Sequence, residues 1–301
     1  MTINTRKPSQ LWNPLATAEQ LATSRSQQDG VPADLEASIR FAGARLTQAA
    51  GILLQLPQEI IAQAVVLFTR FWIGVDGGSL CEHGAWDVAA ASLYMAAKPS
   101  LARSPRKIVN VCTYVAQPIS TFQDLSRLHD KKSAAEDYYV SEGTYESARK
   151  RMLDVEARIL RVLGFQTHVA LPYALCINYL QALDVFGNPS AGSQLTKRAF
   201  AHLNTALLSP QLLYVTHQPC TLATAAIYLA AREVAVKLPS EEWWEVFDTD
   251  REELGFLVVG LMSMEGFATE EKAKWDGREV PWTVEAVGKE MDRRILAGSG
   301  E

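Results

Sequence analysis

A chain of 301 residues, 48% apolar and 21% charged, has enough apolar material for sizeable cores, and its length predicts about two domains at ~150 residues each. A net charge of −5 and a pI near 5.7 exclude grip on a nucleic-acid backbone as the main task, because that needs a basic footprint. No apolar run reaches the ~18 residues of a membrane span, and Met1-Thr-Ile-Asn-Thr-Arg-Lys7 lacks the apolar core of a secretory leader.

Residues 1–30 are polar, with Pro8, Pro14 and Gly30, and read as a tail with room for a short helix at 15–21. Pro32-Ala-Asp34 starts a helix, with Asp34 and Glu36 suited to its positive end. Ile39, Ala42, Leu46, Ala49 and Leu53 follow at spacings of three and four. Leu56-Pro57 ends that helix and begins the next, whose stripe is Ile60, Ala64, Leu67, Phe68 and Phe71. Gly74-Val-Asp-Gly-Gly78 is a loop; no Gly-Lys-Ser/Thr follows it, so it is no phosphate cradle.

Asp87-Val-Ala-Ala-Ala-Ser-Leu-Tyr-Met-Ala-Ala-Lys98 is apolar nearly all round, the mark of a helix enclosed by other helices. Pro99 ends it. Ser104 caps another helix, with Pro105 as its first residue. Residues 117–141 are polar and charged and read as a surface insertion. A long helix then carries Met152, Val155, Ile159, Val162 and Leu163 and closes at Gly164. Five helices result, the enclosed one third.

The order then recurs. Residues 172–183 form a helix, 187–190 a loop and 194–208 a helix. Thr221-Leu-Ala-Thr-Ala-Ala-Ile-Tyr-Leu-Ala-Ala-Arg232 repeats the enclosed helix in register. Ser240–Phe247 and Asp250–Met264 supply a fourth and a fifth helix, and residues 282–296 allow a terminal one. Nothing alternates at period two, so the fold class is all-α: two tandem five-helix bundles with flanking segments. The expected division is a tail at 1–30, a first bundle at 31–167, a second at 168–268 and a C-terminal tail at 269–301 with a short helix.

The usual marks of enzyme sites are missing: Gly-x-Gly-x-x-Gly, Gly-x-Ser-x-Gly, His-Glu-x-x-His, His-Arg-Asp and Asp-Phe-Gly are all absent. Cys81, Cys112, Cys176 and Cys220 are scattered like reduced thiols. His217-Gln-Pro-Cys220 is a turn into the second enclosed helix rather than half of a metal site, since no second ligand pair appears. Glu241-Glu242 fits a helix start and Glu270-Glu271 a solvated face. No catalytic residue, metal or cofactor is expected, and the chain reads as a binding module.

Tandem five-helix bundles with Ala-rich third helices resemble the cyclin fold. Leu46-Thr-Gln-Ala-Ala-Gly-Ile-Leu-Leu-Gln-Leu-Pro-Gln58 with Val66-Leu-Phe-Thr-Arg-Phe71 resembles the opening of the box in cyclin L. Ser104–Val111 is similar to that family's Arg-Asp-Val-Ile-Asn-Val segment. Val155-Glu-Ala-Arg-Ile-Leu-Arg-Val-Leu-Gly-Phe165 resembles the helix that closes its first bundle. Trp243-Trp-Glu-Val-Phe247 is similar to the cyclin Q group. The resemblance spans about residues 31–267.

It implies a nuclear, non-catalytic subunit that binds and activates a cyclin-dependent kinase in RNA polymerase II transcription and pre-mRNA splicing, with no direct contact to nucleic acid or membrane. Lys98 falls where cyclins place a characteristic lysine and Glu156 where they place its glutamate partner, the pair that binds kinase backbone. Arg149 and Lys150 fall at basic interface positions, and Leu160 and Phe165 at apolar ones. Taken alone, Lys98 is a cation at a helix C-terminus worth ~0.3–1 kcal/mol, Glu156 is a solvated helix residue, and Leu160 and Phe165 are core.

The chain departs from the family in four places, the long insertion at 117–141 among them. Pro99-Ser100 stand where acidic residues usually follow the lysine, which points to a different local interface or kinase. Phe41-Ala-Gly-Ala-Arg-Leu46 replaces the Met-Arg-Ala-Ile-Leu patch that docks cell-cycle substrates. The arginine-serine tail of animal L cyclins does not appear before Glu301, so targeting that depends on it is expected to be absent. Two further readings keep the same fold: a scaffold without a kinase, and a general transcription factor of the IIB type. The second wants a basic surface and paired Cys-x-x-Cys, and this chain has neither.

Overall fold

The computed structural model describes residues 11–99, 104–116, 137–239, 241–276 and 278–298. Among them every regular element is helical, in two compact units. One unit spans Thr17–Thr167 and Glu271–Glu301; the other holds His168–Glu270 and the residues up to Ala16. No helix among the described residues is long and apolar enough to cross a membrane.

The first unit opens with two short helices, α1 (Ala18–Ala22) and α2 (Arg25–Gln28). Thr17 and Gln20 form a reciprocal capping box at the first. Five longer helices follow: α3 (Ala33–Leu53), α4 (Gln58–Phe71), α5 (Ala85–Ala97), α6 (Pro105–Val115) and α7 (Glu142–Val162). Helix α5 packs against all four of the others. Its alanines make that possible: Ala89, Ala90, Ala91 and Ala97 are fully buried, and small side chains let four neighbours approach one axis.

Glycines serve the same end on α3. A Cβ on Gly43 would lie 2.3 Å from the Phe68 ring, and one on Gly51 would lie 2.7 Å from Ile61, so α3 and α4 meet through the missing side chains. Phe68, Phe71 and Trp72 fill the core with edge-on ring contacts, each ring worth ~1.5–3 kcal/mol in burial. Ser104 caps α6 by accepting from the Arg106 N–H, with Pro105 in the first turn as expected. Ser141 caps α7 by accepting from the Thr144 N–H. Most of the expected insertion, residues 117–136, lies outside the described residues.

The second unit contains α8 (Tyr173–Ala182), α9 (Pro189–Ala206), the single turn α10 (Leu213–Thr216), α11 (Pro219–Glu233) and α12 (Arg251–Met262), and it opens α13 (Met264–Lys274). Helix α11 is the second enclosed helix and packs against α8, α9, α10 and α12. An Asn13 clamp holds the segment before Ala16. The Asn13 amide exchanges two 2.8 Å hydrogen bonds with the Ala170 backbone, while the Gln218 amide exchanges two 3.0 Å bonds with the Asn13 backbone.

Two sequence expectations are corrected here. Residues 187–190 are not a plain loop before a helix at 194: α9 starts at Pro189, because the Asn188 side chain accepts from the Ala191 N–H and proline suits the first position. Ser240–Phe247 is not a helix: residues 241–247 contain only a 3-10 turn at Glu245–Phe247, closed by Asp248 at φ 54°. Aromatic and β-branched residues favour helix weakly. Here Trp243, Trp244 and Phe247 pack on one another, and Phe247 stacks on Tyr179 at 3.9 Å, so tertiary packing sets the backbone.

The segment from Glu271 belongs to the first unit. It carries the end of α13 and a terminal helix, α14 (Val284–Gly298). Trp275 and Val287 are buried, the Trp282 carbonyl accepts from the Trp86 N–H at 3.4 Å, and ion pairs add to these contacts. Arg294 Nη1 lies 2.9 Å from both carboxylate oxygens of Asp34 in the first turn of α3, and Lys274 Nζ lies 3.0 Å from one of them. Glu290 pairs with Arg293 and Arg294 behind them.

Candidate functional site

The candidate residues all belong to the first unit, at the end of α5 and along α7. The buried stripe of α7 is Tyr145, Ala148, Met152, Val155 and Ile159, spaced by three and four. Arg149, Glu156 and Leu160 form the adjacent row at spacings of seven and four, and Lys150 lies one position farther round. Arg149 and Lys150 are exposed; Leu160 is half-buried.

Lys98 is the C-terminal cap of α5, bonded through its N–H to the Tyr94 carbonyl. Its ammonium stands over the Tyr94 ring at 5.2 Å and 3.4 Å from Glu156 Oε1. The lysine side chain is 56% exposed and the glutamate side chain 13%. An ammonium has three N–H donors, so the pair keeps donor capacity for acceptors brought by a second protein. At the other end of α5, Asp87 Oδ1 accepts from Arg151 Nε at 3.2 Å. Burial pushes the Asp87 carboxyl up, and the Arg151 charge works against that push. Both ends of the enclosed helix are thus tied to α7 by an ion pair.

Helix α7 closes in a Schellman arrangement. The Gly164 N–H donates to the Arg161 carbonyl at 3.1 Å, and the Phe165 N–H donates to the Leu160 carbonyl at 2.8 Å. Gly164 has φ 55°, which glycine adopts freely. Phe165 follows at φ 61°, an uncommon conformation for a side chain of its bulk. It is 71% exposed and therefore not a core residue, which removes one of the two readings its sequence position allowed. Leu160 and Phe165 are joined through their backbones.

The structure thus brings Lys98 to Glu156 and Leu160 to Phe165, and places Arg149 and Lys150 one to two turns earlier on the same helix. Sequence reasoning missed two supporting groups. Tyr94 stands four residues before Lys98, a legible helical spacing; the Asp87–Arg151 pair joins distant segments and had no local signature.

No family model matches the chain. Cyclin-L1 of Homo sapiens is 34% identical over 284 residues, covering 94% of this chain and 48% of that protein. Cyclin-L2 of Homo sapiens is 31% identical over 255 residues, covering 84% and 45%. The chain spans about half the length of the curated relatives it matches. A chain of the yeast RNA Pol II CTD kinase CTDK-1 complex has the same fold, with a TM-score of 0.63 at 14% identity over 94% of this chain and 84% of that one. With cyclin-L similarity along nearly its whole length and an Ala-rich helix enclosed in each helical unit, the chain is cyclin-L-like.

Proposed function

We propose that this cyclin-L-like chain is the regulatory subunit of a cyclin-dependent serine/threonine kinase, and that it meets the kinase at the face formed by the end of α5 and the outer row of α7. The observation that carries the reading is the Lys98–Glu156 pair, two residues that the resemblance to cyclins matches to a kinase-binding lysine and glutamate. An exposed ammonium and an adjacent carboxylate suit backbone carbonyl and N–H groups of a partner segment. Arg149 and Lys150 add positive charge to that face; Leu160 and the exposed Phe165 add apolar contact.

The chain contributes no catalytic group. It holds the kinase C-helix inward, so that the enzyme's Lys–Glu pair and activation loop reach their working positions. The gain in activity is set by how much more tightly the cyclin binds the active form than the inactive one. Similarity to the L cyclins supports a nuclear role in RNA polymerase II transcription and pre-mRNA splicing. Neither nucleic acid nor membrane is a direct partner in this reading.

The test is affinity purification of the full chain from its native cell, followed by an assay on a polymerase C-terminal-domain peptide. A co-purifying kinase that phosphorylates the peptide is the expected result. A folded chain that brings down no kinase overturns the reading in favour of a scaffold.

A further inference from the structure

The second unit carries an apolar face that its own core does not use. Phe256, Val259 and Met262 recur every third residue along α12 and are each more than half exposed. The opposite side of the same helix, Leu254, Leu257, Val258 and Leu261, supplies the buried contacts with α11. Three large apolar groups in line on one helix go beyond scattered surface hydrophobics.

Two glycines on α12 separate internal packing from external contact. A Cβ on Gly260 would lie 2.4 Å from Gln211 Oε1, so Gly260 answers to the chain's own packing. A Cβ on Gly255 would meet nothing within 4 Å. An exposed glycine in a helix interior weakens the helix relative to alanine, and nothing among the described residues requires it. Gly255 lies four residues before Val259, on the apolar face, where a bare backbone lets another helix come close.

The surroundings narrow the occupant. Of the charged residues between positions 250 and 270, Asp250, Glu252, Glu265 and Glu270 are exposed carboxylates and Arg251 is an exposed cation, while Glu253 is half-buried and bonded to Thr221 and Glu265 also feels the Arg198 charge. At the Phe256 end the His217 ring stacks on Phe256 at 5.3 Å, and the next residue, Gln218, clamps Asn13. The clamped segment presents Trp12 and Leu15 to solvent. An apolar stripe with an acidic rim fits an amphipathic helix with basic flanks.

We infer that the outer face of α12, with Gly255 at its closest point, docks a basic amphipathic helix of a protein partner. This surface belongs to the second unit and shares no residue with the Lys98–Glu156 face of the first, so the inference does not rest on the kinase reading.

Fluorescence anisotropy tests it. The full-length chain is titrated into a synthetic helix-forming peptide with leucines at i, i+3, i+4 and i+7 and lysines on its flanks, and separately into the same peptide with glutamates for lysines. The lysine peptide is expected to bind at least tenfold tighter than the glutamate peptide, with an advantage that shrinks as salt rises. Val259→Ser/Met262→Ser should weaken it by tenfold or more. Gly255→Leu should weaken it too while raising the Tm, which separates lost docking from lost folding. Absence of binding, equal affinity for both peptides, or unchanged affinity in both variants overturns the inference. So does a dimer of the chain in light scattering that the double serine variant dissolves, because the occupant would then be a second copy.

Discussion

Lys98 Nζ stands 3.4 Å from Glu156 Oε1, so the cap of the enclosed helix α5 is matched by a carboxylate on the outer row of α7. The lysine side chain is more than half exposed, and exposed pairs of this kind contribute ~1 kcal/mol or less. Lys98→Ala and Glu156→Ala should therefore each lower the unfolding free energy by under ~1 kcal/mol, measured by denaturant titration. A loss of several kcal/mol would make the pair a structural tie rather than a surface kept for a partner.

Phe165 bears a backbone cost for its place at the end of α7. With φ 61° and its ring in solvent, it gains little from the fold. Phe165→Gly should leave the Tm unchanged or raise it, because left-handed backbone costs a non-glycine residue about 1–2 kcal/mol. The same change should weaken kinase capture in the proposed complex. Thermal unfolding and a pull-down on one protein preparation check both halves.

Glycine to alanine should have opposite signs at two helical sites. Gly43→Ala drives a methyl group into the Phe68 ring and should destabilise by roughly 1–3 kcal/mol. Gly255→Ala fills open space and should stabilise by up to about 1 kcal/mol. Chemical denaturation of the two variants side by side decides it.

Helix α14 should loosen in acid. Arg293, with Arg294, holds the Glu290 carboxyl down against the effect of burial, from an ordinary 4.5 to about 2. Burial would raise Asp34, but Lys274 and Arg294 outweigh it and hold that carboxyl below its usual value. Both are depressed in the folded state, so their stabilisation is present above the ordinary carboxylate range and is lost as pH falls from about 4.5 towards 2. Hydrogen exchange should show α14 losing protection in that window before α5 does. In Arg294→Ala the early loss should be present already at neutral pH.

The legible parts of this chain were those written in local chemistry. Alanine runs at 89–91 and 225–226 gave the enclosed helices, Ser104-Pro105 gave a helix start, and Gly164 gave a helix end. Asn188-Pro189 carries an equally local start, masked by the turn chemistry of Gly187 and Ser190 on either side. Residues 241–247 could not be read locally: their backbone follows from where Trp243 and Phe247 find partners, Tyr179 among them, far away in sequence. The candidate site divides in the same way. Family resemblance singled out Lys98 and Glu156, but only packing of α5 on α7 brings them together. That Phe165 is left outside the core follows from the closing turn of α7, where Gly164 and Phe165 both adopt left-handed backbone.

The most direct test of the kinase-facing surface is the affinity of the purified chain for its co-purified kinase, measured by biolayer interferometry for wild type and Lys98→Ala/Glu156→Ala. The proposed interface predicts at least a tenfold weaker Kd for the double variant, with an unchanged helical circular dichroism spectrum. Equal affinity for the two proteins would contradict it and move the kinase to another face of the chain.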